Sequence, residues 1–289
     1  MNTKELGNTG VRLPEIGFGT WRYRGGTDPL RKAIELGASF IDTAESYGSE
    51  EIVGDAIGKL RHHVFLATKV SPRNFRRVDV RRAAERSLQR LRTSYIDLYQ
   101  LHWPNYTVPI EETIGAMEEL AEAGKIRFIG VSNFSIEELK KAQAALSRHR
   151  IVSNQLRYSL TERTVERNIL DYCQRNKITV IAFSPLSSSF VRLQTADPEG
   201  ALPRVAKAIG KSEAQVALNW LIDKASVVAI PKASTVQHVM EDCGASGWRL
   251  SRPDSELLES KIKFRRRGAV ESAARRCVKH VCQAFGHQL

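Results

Sequence analysis

Four side chains of this 289-residue chain are of types that move protons, and they fall where apolar runs end. The run Ser39–Asp42 closes on Asp42, and Tyr47 follows just beyond it. Val64–Lys69 closes on a lysine, which is costly to bury unless paired; Asp42 is the partner the pattern offers. Ile96–His102 closes on a histidine. A cation beside a tyrosine favours the phenolate and is expected to draw its pKa from about 10 toward neutrality. Such a phenol can give its proton to a developing alkoxide, and an imidazole beside it can polarise a carbonyl oxygen. Taken singly, the aspartate and lysine read as a salt bridge, the tyrosine as a packed ring and the histidine as a structural imidazole. Together, at the mouths of neighbouring strands, they make a carbonyl-reduction site that needs no metal.

The elements that must position these groups recur along the chain. Eight short apolar runs are present: Ile16–Gly19, Ser39–Asp42, Val64–Lys69, Ile96–His102, Arg127–Ser132, Ile151–Gln155, Ile178–Ser184 and Ser226–Lys232. Helical patterns lie between them, including Val80–Leu91, Glu111–Ala123 and Ser135–Leu146, the last opening with a Ser135/Glu138 capping box. Strands alternating with helices form a parallel sheet, and eight such units close a (β/α)8 TIM barrel with its chemistry at the C-terminal strand ends. The long step from Ser184 to Lys232 calls for an insertion around Ser187–Pro203. Lys4–Leu6 and Arg12–Pro14 flank a Gly-Asn-Thr-Gly turn, expected to form a β-hairpin plug across the N-terminal end. The runner-up, an open doubly wound sheet, calls for a Gly-rich phosphate loop. Gly17-Phe18-Gly19 lacks the third glycine.

Composition narrows the class. With 44 Lys+Arg against 32 Asp+Glu the formal charge is +12, which suits an anionic ligand. Residues 261–289 hold eight Lys/Arg and one acid. We therefore divide the chain into a single barrel domain, 1–264, and a basic C-terminal tail, 265–289, within a helical or loop extension. Such a tail is read as a solvated helix end, because the aromatic interleaving of a base-stacking surface is missing. Neither nucleic acid nor membrane is an expected partner, and no run is long enough to cross a bilayer. Four scattered cysteines and no apolar leader point to a cytoplasmic protein with reduced thiols. The spacing of Cys277, His280 and Cys282 is not a common zinc pattern, so no metal is expected.

The sequence resembles the aldo-keto reductase family from about Leu6 to Glu259. The resemblance rests on ordered blocks: Gly37–Ala44 with Tyr47, Glu50 and Gly54; Leu101-His102-Trp103-Pro104; Gly124–Phe134; Asn154-Gln155; Ala182–Leu186; and Ile230–Ser234. It implies NAD(P)H-dependent reduction of aldehydes and ketones, with Tyr47 as general acid. Lys69, paired to Asp42, would tune Tyr47, and His102 would orient the carbonyl. Ser132, Asn133 and Gln155 would hold the nicotinamide carboxamide, and Phe183 would stack on its ring. Ser184, Pro185 and Leu186 would line the pyrophosphate channel. Thr20, Trp21, Asp42 and Ile230 would also belong to the cofactor site. Lys232, Ser234 and His238 would meet the 2′-phosphate, with Glu241 and Asp242 near the adenine. Trp21, Tyr47, His102 and Trp103 would bind the substrate.

Departures from the family pattern set the remaining expectations. His238 stands where an arginine is frequent, and a neutral imidazole grips phosphate less well than a guanidinium. NADPH is therefore the expected cofactor, with NADH possible. Asp242 replaces a frequent asparagine, Phe183 a frequent tyrosine, and Ser187–Phe190 a glycine-containing loop. The alternative to an active enzyme is a cofactor-binding regulatory subunit with little turnover. A monomer is the default for such a barrel.

Overall fold

The computed structural model describes residues 1–266 and, beyond them, 268, 271, 274 and 278. A hairpin of β1 (Thr3–Glu5) and β2 (Arg12–Pro14) opens the chain. The barrel strands follow: β3 (Phe18–Gly19), β4 (Phe40–Asp42), β5 (Phe65–Val70), β6 (Ile96–Leu101), β7 (Ile126–Ser132), β8 (Ile151–Arg157), β9 (Thr179–Phe183) and β10 (Val227–Ile230). They pair in parallel in chain order, one eight-stranded sheet. The edges meet where Ile16 bridges Ala229. Gly17 N–H donates to Ala229 O at 2.8 Å, and Ala229 N–H donates to Glu15 O at 2.9 Å. The closed barrel replaces the open-sheet alternative.

Each apolar run became a strand because a parallel strand is covered on both faces. The outward side chains of the strands pack under helices such as α1 (Asp28–Glu35), α2 (Glu50–Ile57), α3 (Arg77–Leu91) and α4 (Ile110–Glu122). α5 (Ile136–Ala144) carries the expected capping box: Ser135 accepts from Glu138 N–H, and Glu138 accepts from Ser135 N–H. α6 (Ile169–Arg175) follows β8. The expected insertion consists of α7 (Phe190–Thr195) and α8 (Ala201–Ile209), set ahead of the crossover helix α9 (Glu213–Ile222). After β10 come α10 (Val236–Cys243) and α11 (Arg252–Lys261). No described helix is long and apolar enough to cross a membrane.

The barrel interior is a separate apolar cluster of Phe40, Phe65, Leu98, Val152, Ile181 and Val228, among others. Leu6 and Leu13 of the hairpin are fully buried in the same cluster. Thr179, the first residue of β9, accepts from Gly7 N–H at 2.8 Å and donates to Glu5 O at 3.1 Å. The hairpin therefore plugs the N-terminal end. Lys4 fastens it by donating to Ile222 O, and to Lys224 O and Val227 O at 2.8 Å each. At the other end, Arg265 N–H donates to Thr161 O and Arg163 N–H to Arg265 O, both at 2.9 Å. Most of the basic tail, with Cys277, His280 and Cys282, lies outside the described residues.

The closing seam tolerates no side chain at Gly17. A Cβ there would stand 2.6 Å from Phe40 O and 2.7 Å from the Phe40 ring. Gly17→Ala is expected to cost about 1–3 kcal/mol, the usual penalty of overpacking, seen as a lower urea midpoint. An unchanged midpoint would mean that the seam has slack.

Candidate active site

Strand register brings the four proton-handling residues to one mouth. β4 pairs Asp42 with Ala67, and β5 pairs Lys69 with Gln100. Lys69 is fully buried, and Asp42 is 1% exposed. Lys69 Nζ donates to Asp42 Oδ2 at 2.5 Å and to Thr43 O at 2.8 Å. A short 3-10 turn, Glu45–Tyr47, follows β4 and brings Tyr47 back over the lysine. Lys69 Nζ sits 5.0 Å from the centre of the Tyr47 ring. Tyr47 Oη lies 3.3 Å from His102 Nε2, and the two rings meet edge to face at 5.4 Å. Trp103 stacks beside His102 at 6.5 Å.

The electrostatics correct one expectation. Burial pushes the Tyr47 phenol above its ordinary value of 10; Lys69 opposes this, and Asp42 adds to it. The lysine offsets the burial without overcoming it, so the phenol is not drawn to neutrality and keeps its proton. Burial also works against the charge of Lys69, yet the carboxylate of Asp42 and the phenol raise its pKa, and it stays an ammonium. Burial, joined by the Lys69 charge, lowers the His102 imidazole from 6.5 to about 3. His102 is thus neutral across the physiological range. The arrangement presents a neutral O–H and a neutral imidazole nitrogen side by side.

The opposite wall is amide-rich. Ser132 Oγ donates to Gln155 O at 3.0 Å, and Asn133 Nδ2 donates to Ser132 Oγ at 2.8 Å and to His102 O at 3.3 Å. Asn133 holds a left-handed φ of 64°, a region asparagine tolerates better than most residues. Gln155 Nε2 donates to Asp42 Oδ1 at 2.8 Å. Phe183, half-buried at the end of β9, carries the Arg157 guanidinium 5.5 Å from its ring centre. Ser184 follows with φ 50°, then buried Pro185 and half-buried Leu186. Past buried Ile230, Lys232 and His238 are exposed and Ser234 is half-buried, all around the start of α10, which Thr235 caps.

Two candidates stand differently from the rest. Thr20 is fully buried, and its hydroxyl meets Asp42 O at 3.1 Å and Ser49 Oγ at 2.9 Å, so it braces the wall behind Asp42. Asp242 is 4% exposed, and burial, with Glu241 adding, pushes its carboxyl up to about 8. Trp21, 54% exposed, lies past the end of β3 with Arg22 over its ring at 4.6 Å. The sequence reading missed Gln100, which is fully buried and donates to Asp42 Oδ1 at 3.2 Å. Its signal was an amide within the otherwise apolar end of Ile96–Leu101. Among the described residues, no cluster of three His, Cys, Asp or Glu side chains could hold a metal.

Known proteins are similar to this chain over nearly its whole length. The methylglyoxal reductase YeaE of Escherichia coli is 38% identical over 86% of this chain and 91% of its own. The glyoxal reductase of Bacillus subtilis is 34% identical over 92% and 95%. Among solved structures, a Klebsiella pneumoniae aldo/keto reductase bound to NADP and acetate superposes with a TM-score of 0.83 at 36% identity, covering 92% of this chain and 96% of its own. The model of the aldo/keto reductase family matches residues 15–263, spanning every barrel strand and the active-site mouth. The chain belongs to the aldo-keto reductase family.

Proposed function

We propose that Tyr47 is the proton donor in an NADP(H)-dependent reduction of aldehydes and ketones to alcohols. The reading rests on the meeting of Tyr47 Oη and His102 Nε2 at 3.3 Å directly above the buried Lys69–Asp42 pair. A carbonyl oxygen seated between these two atoms would accept from both. His102, being neutral, would hold that oxygen without competing for its proton. Tyr47 would transfer its proton as the oxygen gains charge, and Lys69 would stabilise the phenolate left behind. Asp42 keeps Lys69 charged and fixed.

The residues present fit a nicotinamide cofactor. The Gln155 side-chain amide nitrogen is committed to Asp42, which leaves its oxygen for the amide of a carboxamide. Asn133 and Ser132 stand beside it, and Phe183 offers a ring face at the same mouth. Lys232 is an exposed cation suited to the 2′-phosphate, with Ser234 and His238 near it. NADPH, when bound, supplies the hydride. Thr20 supports Asp42 from behind, and Trp21 and Trp103 would flank the substrate. Small aldehydes are the substrates to assay first, given that two of the relatives are a methylglyoxal and a glyoxal reductase. The free thiols Cys173 and Cys243 suit a reducing, cytoplasmic setting. The convergence of all four proton-handling residues favours turnover over the regulatory-subunit alternative.

Tyr47→Phe is expected to lower kcat for aldehyde reduction by about 10²–10⁴-fold while leaving NADPH binding, followed by fluorescence quenching, intact. Retained turnover would remove Tyr47 from its role. Because His102 gains its proton only near pH 3, kcat should show no acid limb near the ordinary histidine value of about 6.5. A limb there that vanished in His102→Gln would mean that the imidazole titrates in the working range. Lys232→Ala should weaken NADPH binding by about 10–100-fold, the range of one charge-assisted hydrogen bond, and leave NADH binding little changed. Equal loss for both cofactors would place the 2′-phosphate elsewhere.

A further inference from the structure

Gln100 is buried in the barrel interior, in register with Lys69 on the neighbouring strand. The positions on either side of it, Tyr99 and Leu101, pack with the outer core under the helices. Two residues earlier, Leu98 belongs to the interior cluster. Gln100 thus occupies the layer between that apolar cluster and the mouth. An amide in such a place must find partners or forfeit several hydrogen bonds. Its partners are Asp42 and Gln155.

Asp42 fixes the orientation of both amides. An ionised carboxylate only accepts, so each glutamine must turn its NH₂ toward it. Gln100 Nε2 donates to Asp42 Oδ1 at 3.2 Å, and Gln155 Nε2 donates to the same oxygen at 2.8 Å. The remaining hydrogen of Gln155 faces the oxygen of Gln100, with Nε2 and Oε1 3.5 Å apart. Both hydrogens of the Gln155 amide are therefore directed inward. Its Oε1 receives no donor from the described residues. The two glutamines and the aspartate form a closed ring, and the only side-chain group of Gln155 left over is an acceptor.

The geometry points to Gln100 as a positioning residue that locks the Gln155 amide, so that the mouth presents an acceptor only and selects a cofactor carrying an amide N–H donor. This rests on the proposed function, in which Gln155 meets the nicotinamide carboxamide. Without Gln100, one Gln155 hydrogen loses its acceptor and the amide gains freedom to turn. An acetyl group in place of the carboxamide has an acceptor oxygen but no N–H, so it draws nothing from a locked Gln155.

The test is a binding comparison that needs no turnover. Quenching of intrinsic fluorescence is titrated with NADP⁺ and with its 3-acetylpyridine analogue. The wild-type protein should favour NADP⁺ by about 3–10-fold, the range of one hydrogen bond. Gln100→Leu and Gln100→Met should lose that preference by weakening NADP⁺ alone, with the analogue unchanged. Gln100→Glu keeps the shape and adds a carboxyl beside Asp42. At low pH its protonated form can donate to Asp42 and still accept from Gln155, so it should keep the preference for NADP⁺ there. A wild-type ratio in the folded Leu or Met variant, or no preference in the Glu variant at low pH, would overturn the proposal. Gln155→Ala separates the two readings. If it too keeps the wild-type ratio, the carboxamide is held elsewhere and the site reading fails; if it alone loses the ratio, only the role of Gln100 fails.

Discussion

A lysine with no exposed surface sits against an aspartate at the top of this barrel, and the rest of the mouth is arranged around that pair. Removing two charges from water costs several kcal/mol per ion unless each finds further partners. The partners are present on both sides. Lys69 has the Thr43 carbonyl as a second acceptor, and Asp42 takes donors from Gln100 and Gln155 on its other oxygen. The pair is therefore a junction between two halves of the site. Its cation faces the tyrosine, and its anion faces the amide wall. Losing either member would leave the other charged and buried, a cost of about 3–5 kcal/mol, so stability and chemistry share one interaction.

The same cation acts in the same sense on its two aromatic neighbours. It lowers the pKa of the phenol and that of the imidazole, because in both cases it disfavours added positive charge. Burial divides the outcomes. For Tyr47 it favours the neutral phenol and opposes the lysine; for His102 it favours the neutral imidazole and reinforces it. The result is two uncharged groups beside a permanent cation. That is the state a carbonyl-reducing site requires before reaction: a proton in place, a polarising nitrogen that holds no extra proton, and a charge ready to meet the phenolate. Expecting a phenol near neutrality counted the cation and omitted the burial that positions it.

The fold was legible because each barrel strand is a short apolar run and each crossover has helical periodicity. Even the hairpin and the insertion before β10 followed from spacing. Asp42, Lys69 and His102 were legible for a related reason: polar residues that end apolar runs stand out, and Tyr47 lies just past the first of these. Gln100 did not stand out, because it interrupts a run without ending it, and the inward direction of its side chain appears only once the neighbouring register is known. Thr20 is expected in the cofactor site from the family resemblance, yet its hydroxyl turns back to Asp42 O and Ser49. Side-chain direction at a strand end depends on what the next loop packs against, and spacing carries little of that.

Strand register ties these features together. Along β4, Phe40 faces the interior cluster and Asp42 stands two residues above it. β5 repeats the order with Phe65, Ala67 and Lys69, and β6 with Leu98, Gln100 and then His102 beyond its end. The period of two in a strand therefore gives each one an apolar foot and a polar head on the same inward face. A slip of one residue in any of these strands would turn its head into the helical layer and bring an outward residue inside. The packing of Phe40, Phe65 and Leu98 against the hairpin leucines Leu6 and Leu13 penalises such a slip. The plug sits at the end of the barrel opposite the chemistry, yet by fixing where the apolar feet sit it fixes the height at which Asp42, Lys69 and Gln100 meet.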